Sequence, residues 1–355
     1  MNRVSKMRAQ LRAANVDAFL LCSAESRQYA SGYQLSEGVA ILADAGCRYF
    51  TDSRYIEAAE QNITGFGVQQ IDREHTLASL LADAIRSFGV KTLGYEDGVL
   101  TASQLQKFKE QLPAELVPAQ AAISAPRKSK EPCEIELLKK AQEITDRAFA
   151  DLLNVIQAGM TEKELQAELI YRLYKFGGEG LSFDPIVVSG ANTSMPHGVA
   201  GDKPLAFGEF VTMDFGCKFG GYCSDMTRTV ALGFISDEMH KVYDTVLSAQ
   251  EAGIAAAKAG VCGKEVDGAA RRIIEDAGYG AYFGHAFGHS LGLEIHESPN
   301  CSPASEDPMP LGAVCSAEPG IYLPGKFGVR IEDVIVFRDG GCEDITRSPK
   351  KLLIV

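Results

Sequence analysis

The spacing of apolar and polar positions changes along this chain, and the changes divide it. Residues 3–15 set apolar side chains at helical spacing among Arg3, Lys6, Arg8 and Arg12, which predicts an amphipathic helix. The apolar run at 17–22 has the length of a short strand. Runs at 38–42 and 48–51 flank Asp44-Ala45-Gly46, a hairpin signal. Helical stretches follow at 54–62, 76–88 and 102–112, with a strand candidate at 91–95. Such alternation predicts an α/β layer domain. Asp52-Ser53-Arg54-Tyr55 reads as a capped helix start.

Pro113, Pro118, Pro126 and Pro132, with the charged run at 127–131, break this pattern and mark a connector. The expected organisation is a smaller domain over 1–125, a connector at 126–132 and a second domain over 133–355. A helix from 131 to about 158 opens the second part, with Ile135, Leu138, Ile144, Phe149 and Leu152 as apolar faces. Beyond it lies a faint internal echo. Ala158-Gly159 and Lys163-Glu164-Leu165 recur 101 positions later as Ala259-Gly260 and Lys264-Glu265-Val266, and Gly177 is matched by Gly278. Thr161 and Glu164 have capping-box spacing. A duplicated α/β unit with pseudo-twofold symmetry is the expectation.

Composition narrows the function classes. Asp plus Glu outnumber Lys plus Arg by 47 to 35, a net charge of −12, with no basic stripe. Nucleic acid and anionic membrane surfaces are thereby disfavoured as partners. No apolar run reaches the ~18 residues of a membrane span, and the basic residues at the amino terminus do not resemble a signal peptide. Nine cysteines, odd in number and without a C-x-x-C pair, argue against a disulfide framework and a thiolate zinc site. A cytoplasmic location follows as the expectation.

The residues that carry chemistry lie after position 190. Strand-like runs at 210–216 and 222–230 flank a turn at 218–221. A hairpin centred on Phe219-Gly220 sets Asp214 opposite Asp225. Likewise Gly325 is midway between Glu318 and Glu332 in a second hairpin. Opposed carboxylates repel across a ladder, so something positive is wanted between them. His285, His289 and His296 lie in one glycine-punctuated stretch. His285 and His289 have i,i+4 spacing, but there is no H-E-x-x-H and the glycines disfavour a helix, so an extended or looped segment is expected. Four carboxylates balance two divalent cations, and one imidazole can fill a further coordination position. That donor set suits Mn²⁺, Co²⁺ or Zn²⁺. Two such ions can bridge a water and hold it as a hydroxide nucleophile.

Met213-Asp-Phe-Gly, Ser224-Asp-Met-Thr-Arg-Thr, Gly288-His-Ser-Leu-Gly, Ala317-Glu-Pro-Gly and Arg330-Ile-Glu-Asp, in this order, resemble the motifs of the pita-bread metallopeptidases, in their Xaa-Pro aminopeptidase and prolidase branch. The resemblance covers residues 131–355. The first 125 residues resemble the creatinase-like amino-terminal domain. It implies a pita-bread fold preceded by a smaller α/β domain, and a dinuclear centre of Asp214, Asp225, His289, Glu318 and Glu332, with manganese first and cobalt or zinc as alternatives. Asp225 and Glu332 match the bridging positions, and Glu318 also matches the proton shuttle. His197, His285 and His296 match substrate-side catalytic histidines, and Tyr322 and Arg330 match positions beside the centre. The implied substrate is a peptide with proline in second position, and the implied assembly a homodimer. A dipeptidase, a non-catalytic peptide-binding module and a metal-free creatinase-type amidinohydrolase are the alternatives; a methionine aminopeptidase fits less well. Gln34-Leu35-Ser36-Glu37-Gly38 departs from the small-residue run of many relatives, and Glu37 there is a candidate influence on substrate length.

Overall fold

The computed structural model describes residues 3–355. The chain divides into two compact units, Met1–Arg127 and Lys128–Val355.

The first unit is built on a six-stranded mixed sheet. Strand Ala18–Leu21 pairs antiparallel with Val39–Ala43 on one side and parallel with Thr92–Tyr95 on the other. The Asp44–Gly46 turn joins Val39–Ala43 to Cys47–Asp52, and the Ala43 N–H donates to the Gly46 carbonyl. Glu115–Pro118 forms an edge strand, parallel to Thr92–Tyr95, inside the proline-rich stretch expected to be connector. An edge tolerates proline because one side of the strand needs no donor. The helix expected at 54 begins at Ile56, without a side-chain cap. Asp52 instead accepts from the Arg54 backbone and guanidinium in the preceding turn.

The second unit is an α+β repeat. Each half packs a pair of helices against antiparallel strands: Pro132–Leu152 with Glu162–Lys175, then Asp237–Ala256 with Gly263–Asp276. The first pair buries Ile144, Leu165 and Leu169 against Val187 and Met213. The second buries Val246, Ala270 and Ile274 against Phe287 and Cys315. Matching backbone bonds mark the symmetry. Gly159 N–H donates to Leu205 O and Gly260 N–H to Met309 O, both at 2.8 Å. The Thr161–Glu164 capping box is present. The first helix stops at Leu152, short of the expected 158: Asn154 turns its amide back onto the Ala150 and Asp151 carbonyls, a local bond that competes with helix continuation.

Two hairpins set the registers that matter. In the first, Thr227 lies opposite Asp214 and Lys218 opposite Cys223. The turn is therefore Gly220-Gly221, both at positive φ (56° and 81°), as a two-residue hairpin turn of the primed type requires. This corrects the expected centre at Phe219-Gly220. Asp225 falls one pleat along from the residue opposite Asp214. In the second hairpin, Ala317 pairs with Asp333 and Gly320 with Arg330. Glu318 and Glu332 lie opposed between these ladders, with Gly325 at the centre.

Candidate metal centre

Every predicted site residue of the second unit opens onto one cavity of about 570 Å³: Asp214, Asp225, His289, Glu318, Glu332, His197, His285, His296, Tyr322 and Arg330. Asp214 is the penultimate residue of strand Glu209–Phe215, Asp225 precedes Met226–Leu232, and Glu318 and Glu332 stand at the two hairpin breaks. His289 sits mid-strand in Gly288–Ser290, so the segment is extended, as the glycines indicate. A side chain at Gly288 would come within 1.9 Å of the Ser316 carbonyl. Glycine there lets the His289 strand lie close against Val314–Ala317.

The donor set calls for cations. Asp225, His289 and Glu332 each offer an atom, all within 4.8 Å of one another. His289 Nε2 is 3.5 Å from Asp225 Oδ2 and 3.3 Å from Glu318 Oε1. Its Nδ1 is 3.3 Å from the Ser290 carbonyl, which can only accept, so that nitrogen carries the proton. Burial pushes the His289 pKa down, and the neutral ring turns a bare Nε2 lone pair toward two carboxylate oxygens. Asp214 Oδ2 receives Arg330 Nη2 at 2.6 Å, whereas buried Oδ1 has no hydrogen-bond partner among the described residues. Burial, followed by Glu332, Asp214 and Glu318, pushes Asp225 well above the usual carboxylate range. Burial also raises Glu332 and Glu318. Lone pairs facing lone pairs, beside an unpartnered oxygen, fit divalent ions.

A second network flanks this group. His285 Nδ1 faces the Ala286 carbonyl at 2.8 Å, so it carries the proton, and Nε2 accepts from the Tyr322 hydroxyl at 2.9 Å. The Tyr322 oxygen in turn accepts from Arg330 Nη1 at 2.8 Å. Burial pushes the Tyr322 hydroxyl up to about 12. Arg330 also donates to Thr227 Oγ1 and Asp214, so each of its three guanidinium nitrogens is engaged. The His296 and His289 rings meet edge to face with centroids 4.4 Å apart.

Sequence reasoning did not single out the groups that hold these side chains in place. Arg228, 1% exposed, donates to the Glu332 carbonyl at 2.6 Å and to Asp333 Oδ1 at 2.6 Å. Thr227 Oγ1 donates to Glu332 Oε2 at 2.7 Å. Lys130 and Glu297 form a buried ion pair of 3.1 Å next to His296. The visible signal for Arg228 was a cation inside a run of strand-forming residues (Met226 to Leu232). Lys130 sat in a basic run that read as solvated connector, and its partner is far away in sequence. Glu37 and the 34–38 loop belong to the first unit, where Arg27 Nη2 holds the Leu35 and Ser36 carbonyls.

Both units match known protein families. Residues 136–339 match metallopeptidase family M24, and residues 3–128 match the creatinase/prolidase N-terminal domain. The chain is 40% identical over 354 residues to the uncharacterized peptidase YqhT of Bacillus subtilis, covering 99% of this chain and 100% of that protein. The solved Xaa-Pro dipeptidase from Bacillus anthracis superposes with a TM-score of 0.96 at 39% identity, covering 99% of each chain. The X-Pro aminopeptidase from Thermotoga maritima gives 0.92 at 37% identity, over 98% of this chain and 100% of that one.

Proposed function

The chain belongs to metallopeptidase family M24, and from that premise we propose that it is an Xaa-Pro aminopeptidase, hydrolysing the bond between an amino-terminal residue and a following proline. Asp214, Asp225, His289, Glu318 and Glu332 are the residues that would hold two divalent ions. Manganese is the first choice, and cobalt or zinc suit the same carboxylate-rich donors. When bound, the ions supply Lewis acidity, polarising the scissile carbonyl and acidifying an attacking water.

The chain's own groups do the rest. Glu318, on the same cavity, takes the proton that the attacking water loses and delivers it to the prolyl nitrogen. That nitrogen leaves as a neutral amine, since an unprotonated amide nitrogen is a poor leaving group. His285 has its Nε2 occupied by Tyr322, so it fixes one wall of the site and presents no free donor there. His197 and His296, on the same cavity, steady the substrate and the oxygen where charge develops. Phe183, Ile186, Pro196 and Val199 add an apolar wall against which a pyrrolidine ring can pack.

Chain-length preference rests on one observation. Among the described residues lining the cavity, Arg330 is the sole permanent cation, and it is engaged by Asp214, Tyr322 and Thr227. A dipeptidase has to match the free carboxylate of its substrate with positive charge, whereas an aminopeptidase does not. The second reading, a prolidase, is favoured by the name of the Bacillus anthracis neighbour. Manganese-supplemented cleavage of Ala-Pro, Ala-Pro-Ala and a longer X-Pro peptide separates them. The aminopeptidase reading expects the longer substrates to be cleaved faster, and the prolidase reading expects Ala-Pro alone.

We take residues 1–125 as the creatinase-like domain, 126–132 as connector and 133–355 as the peptidase domain, working as a homodimer. All nine cysteines are unpaired, which supports a reducing, cytoplasmic setting. No helix among the described residues is long and apolar enough to cross a membrane.

A further inference from the structure

Glu162 opens helix Glu162–Lys175 and is 0% exposed. Its carboxylate has no ion-pair partner among the described residues, yet it gathers four donors. Oε1 accepts from Ser189 N at 2.7 Å, Ser189 Oγ at 3.0 Å and Asn192 Nδ2 at 3.1 Å; Oε2 accepts from Gly201 N at 3.0 Å. Ser189 ends strand Ile186–Ser189 and Gly201 is where the chain returns. The carboxylate therefore closes the base of the excursion 190–200, which carries His197 toward the cavity. Lys203 Nζ, 2.9 Å from Ser189 Oγ and 2.6 Å from Glu209 Oε2, reinforces the same base. Among the described residues none hydrogen-bonds the His197 imidazole, so the loop alone sets its place.

The internal repeat supplies a control. The position equivalent to Glu162, 101 residues on, is Gly263. A side chain there would come within 2.2 Å of the Asn300 carbonyl. The accompanying backbone bond exists in both halves: Lys163 N–H to Gly201 O at 3.2 Å and Lys264 N–H to Ser305 O at 2.9 Å. The repeat thus folds without a carboxylate at this point. Only the half with the His197 loop has one.

We propose that Glu162 is a positioning residue, holding the 190–200 loop so that His197 meets the substrate. This rests on the substrate-side role given to His197 above. Donors converge on both carboxylate oxygens, and an amide at this position would turn a donor toward the donors of Ser189 or Gly201.

The test is Glu162→Gln in the full chain, with two readouts. In hydrogen–deuterium exchange, segment 189–201 should exchange faster while 285–297 is unchanged; unchanged protection at 189–201 overturns the proposal, whatever the substrate is. In X-Pro peptide cleavage, kcat/KM should fall about tenfold, as a misplaced contact group does. The Glu162→Gln/His197→Ala double variant should then be within about twofold of His197→Ala alone, because both act through one group. Losses that multiply would mean a merely structural role. Asn192→Ala, which removes a single donor, should give smaller changes in the same direction and serves if Glu162→Gln does not fold. Normal loop exchange in Asn192→Ala would likewise count against the proposal. Loop loosening without any X-Pro cleavage by the parent enzyme would refute the substrate reading and leave the positioning geometry standing.

Discussion

His289 Nε2 lies 3.3 Å from Glu318 Oε1, while the ring's Nδ1 faces the Ser290 carbonyl, which can only accept. Asp225, Glu332 and Asp214 crowd the same buried site. Carboxylates brought this close repel one another when ionised, and a divalent ion between them offsets that repulsion.

Metal should accordingly stabilise the fold, and more so at higher pH. At 100-fold excess over Kd, one bound ion contributes about 2.7 kcal/mol, or roughly 5–10 °C in Tm for a unit of this size. Burial raises Asp225, Glu318 and Glu332 above their unfolded values of about 4. In the metal-free protein, their contribution is intact below about pH 4 and is lost as pH rises through the raised values. The Tm gap between loaded and metal-free protein should widen between about pH 5 and 8. Scanning calorimetry checks this, and a constant or narrowing gap would speak against it.

Asp225→Asn should abolish turnover and lower bound metal, measured by elemental analysis after dialysis. The same change removes a repelling charge, so the metal-free variant should be more stable than metal-free parent by about 1–3 kcal/mol in urea. Retained activity would contradict a ligand role. Lower stability would contradict the repulsion.

Tyr322→Phe breaks the Arg330–Tyr322–His285 chain while leaving the donor set intact. We expect kcat to fall about 10–100-fold with metal content unchanged. With its pKa at about 12, the hydroxyl stays protonated at working pH, so the profile should drop in height and keep its alkaline limb. A moved limb would show that Tyr322 itself titrates.

Arg228→Met should cost about 3–5 kcal/mol, the usual result of removing one partner from a buried pair. Asp333, 1% exposed, would keep only Lys350 at 2.7 Å and Gln250. Burial alone would raise Asp333, but Arg228 and then Lys350 hold it below its ordinary value. The parent's share of stability is thus present at neutral pH and lost as pH falls through that lowered value. Urea unfolding at pH 7 measures the loss, and a change under about 1 kcal/mol would rule the clamp out.

The opposition of Glu318 and Glu332 was legible because a lone Gly325 marks the centre of a symmetric hairpin. Asp214 and Asp225 were harder: two adjacent glycines offered two turn centres, and a one-residue error in the centre moves the pairing by two. Strand Glu115–Pro118 was hidden because its one proline, Pro118, sits where an edge allows it. Arg228, Glu162 and Lys130 were illegible for a common reason. Each acts on partners distant in sequence (Asp333, Ser189 and Glu297), and period and motif carry no record of such contacts.

The most direct measurement titrates metal-stripped protein with Mn²⁺ while following alanine release from Ala-Pro-Ala. No release is expected from the stripped protein, with saturation at two equivalents per chain and loss on chelation. Full cleavage by the stripped protein, or bound ions with no cleavage under manganese, cobalt or zinc, would contradict that expectation.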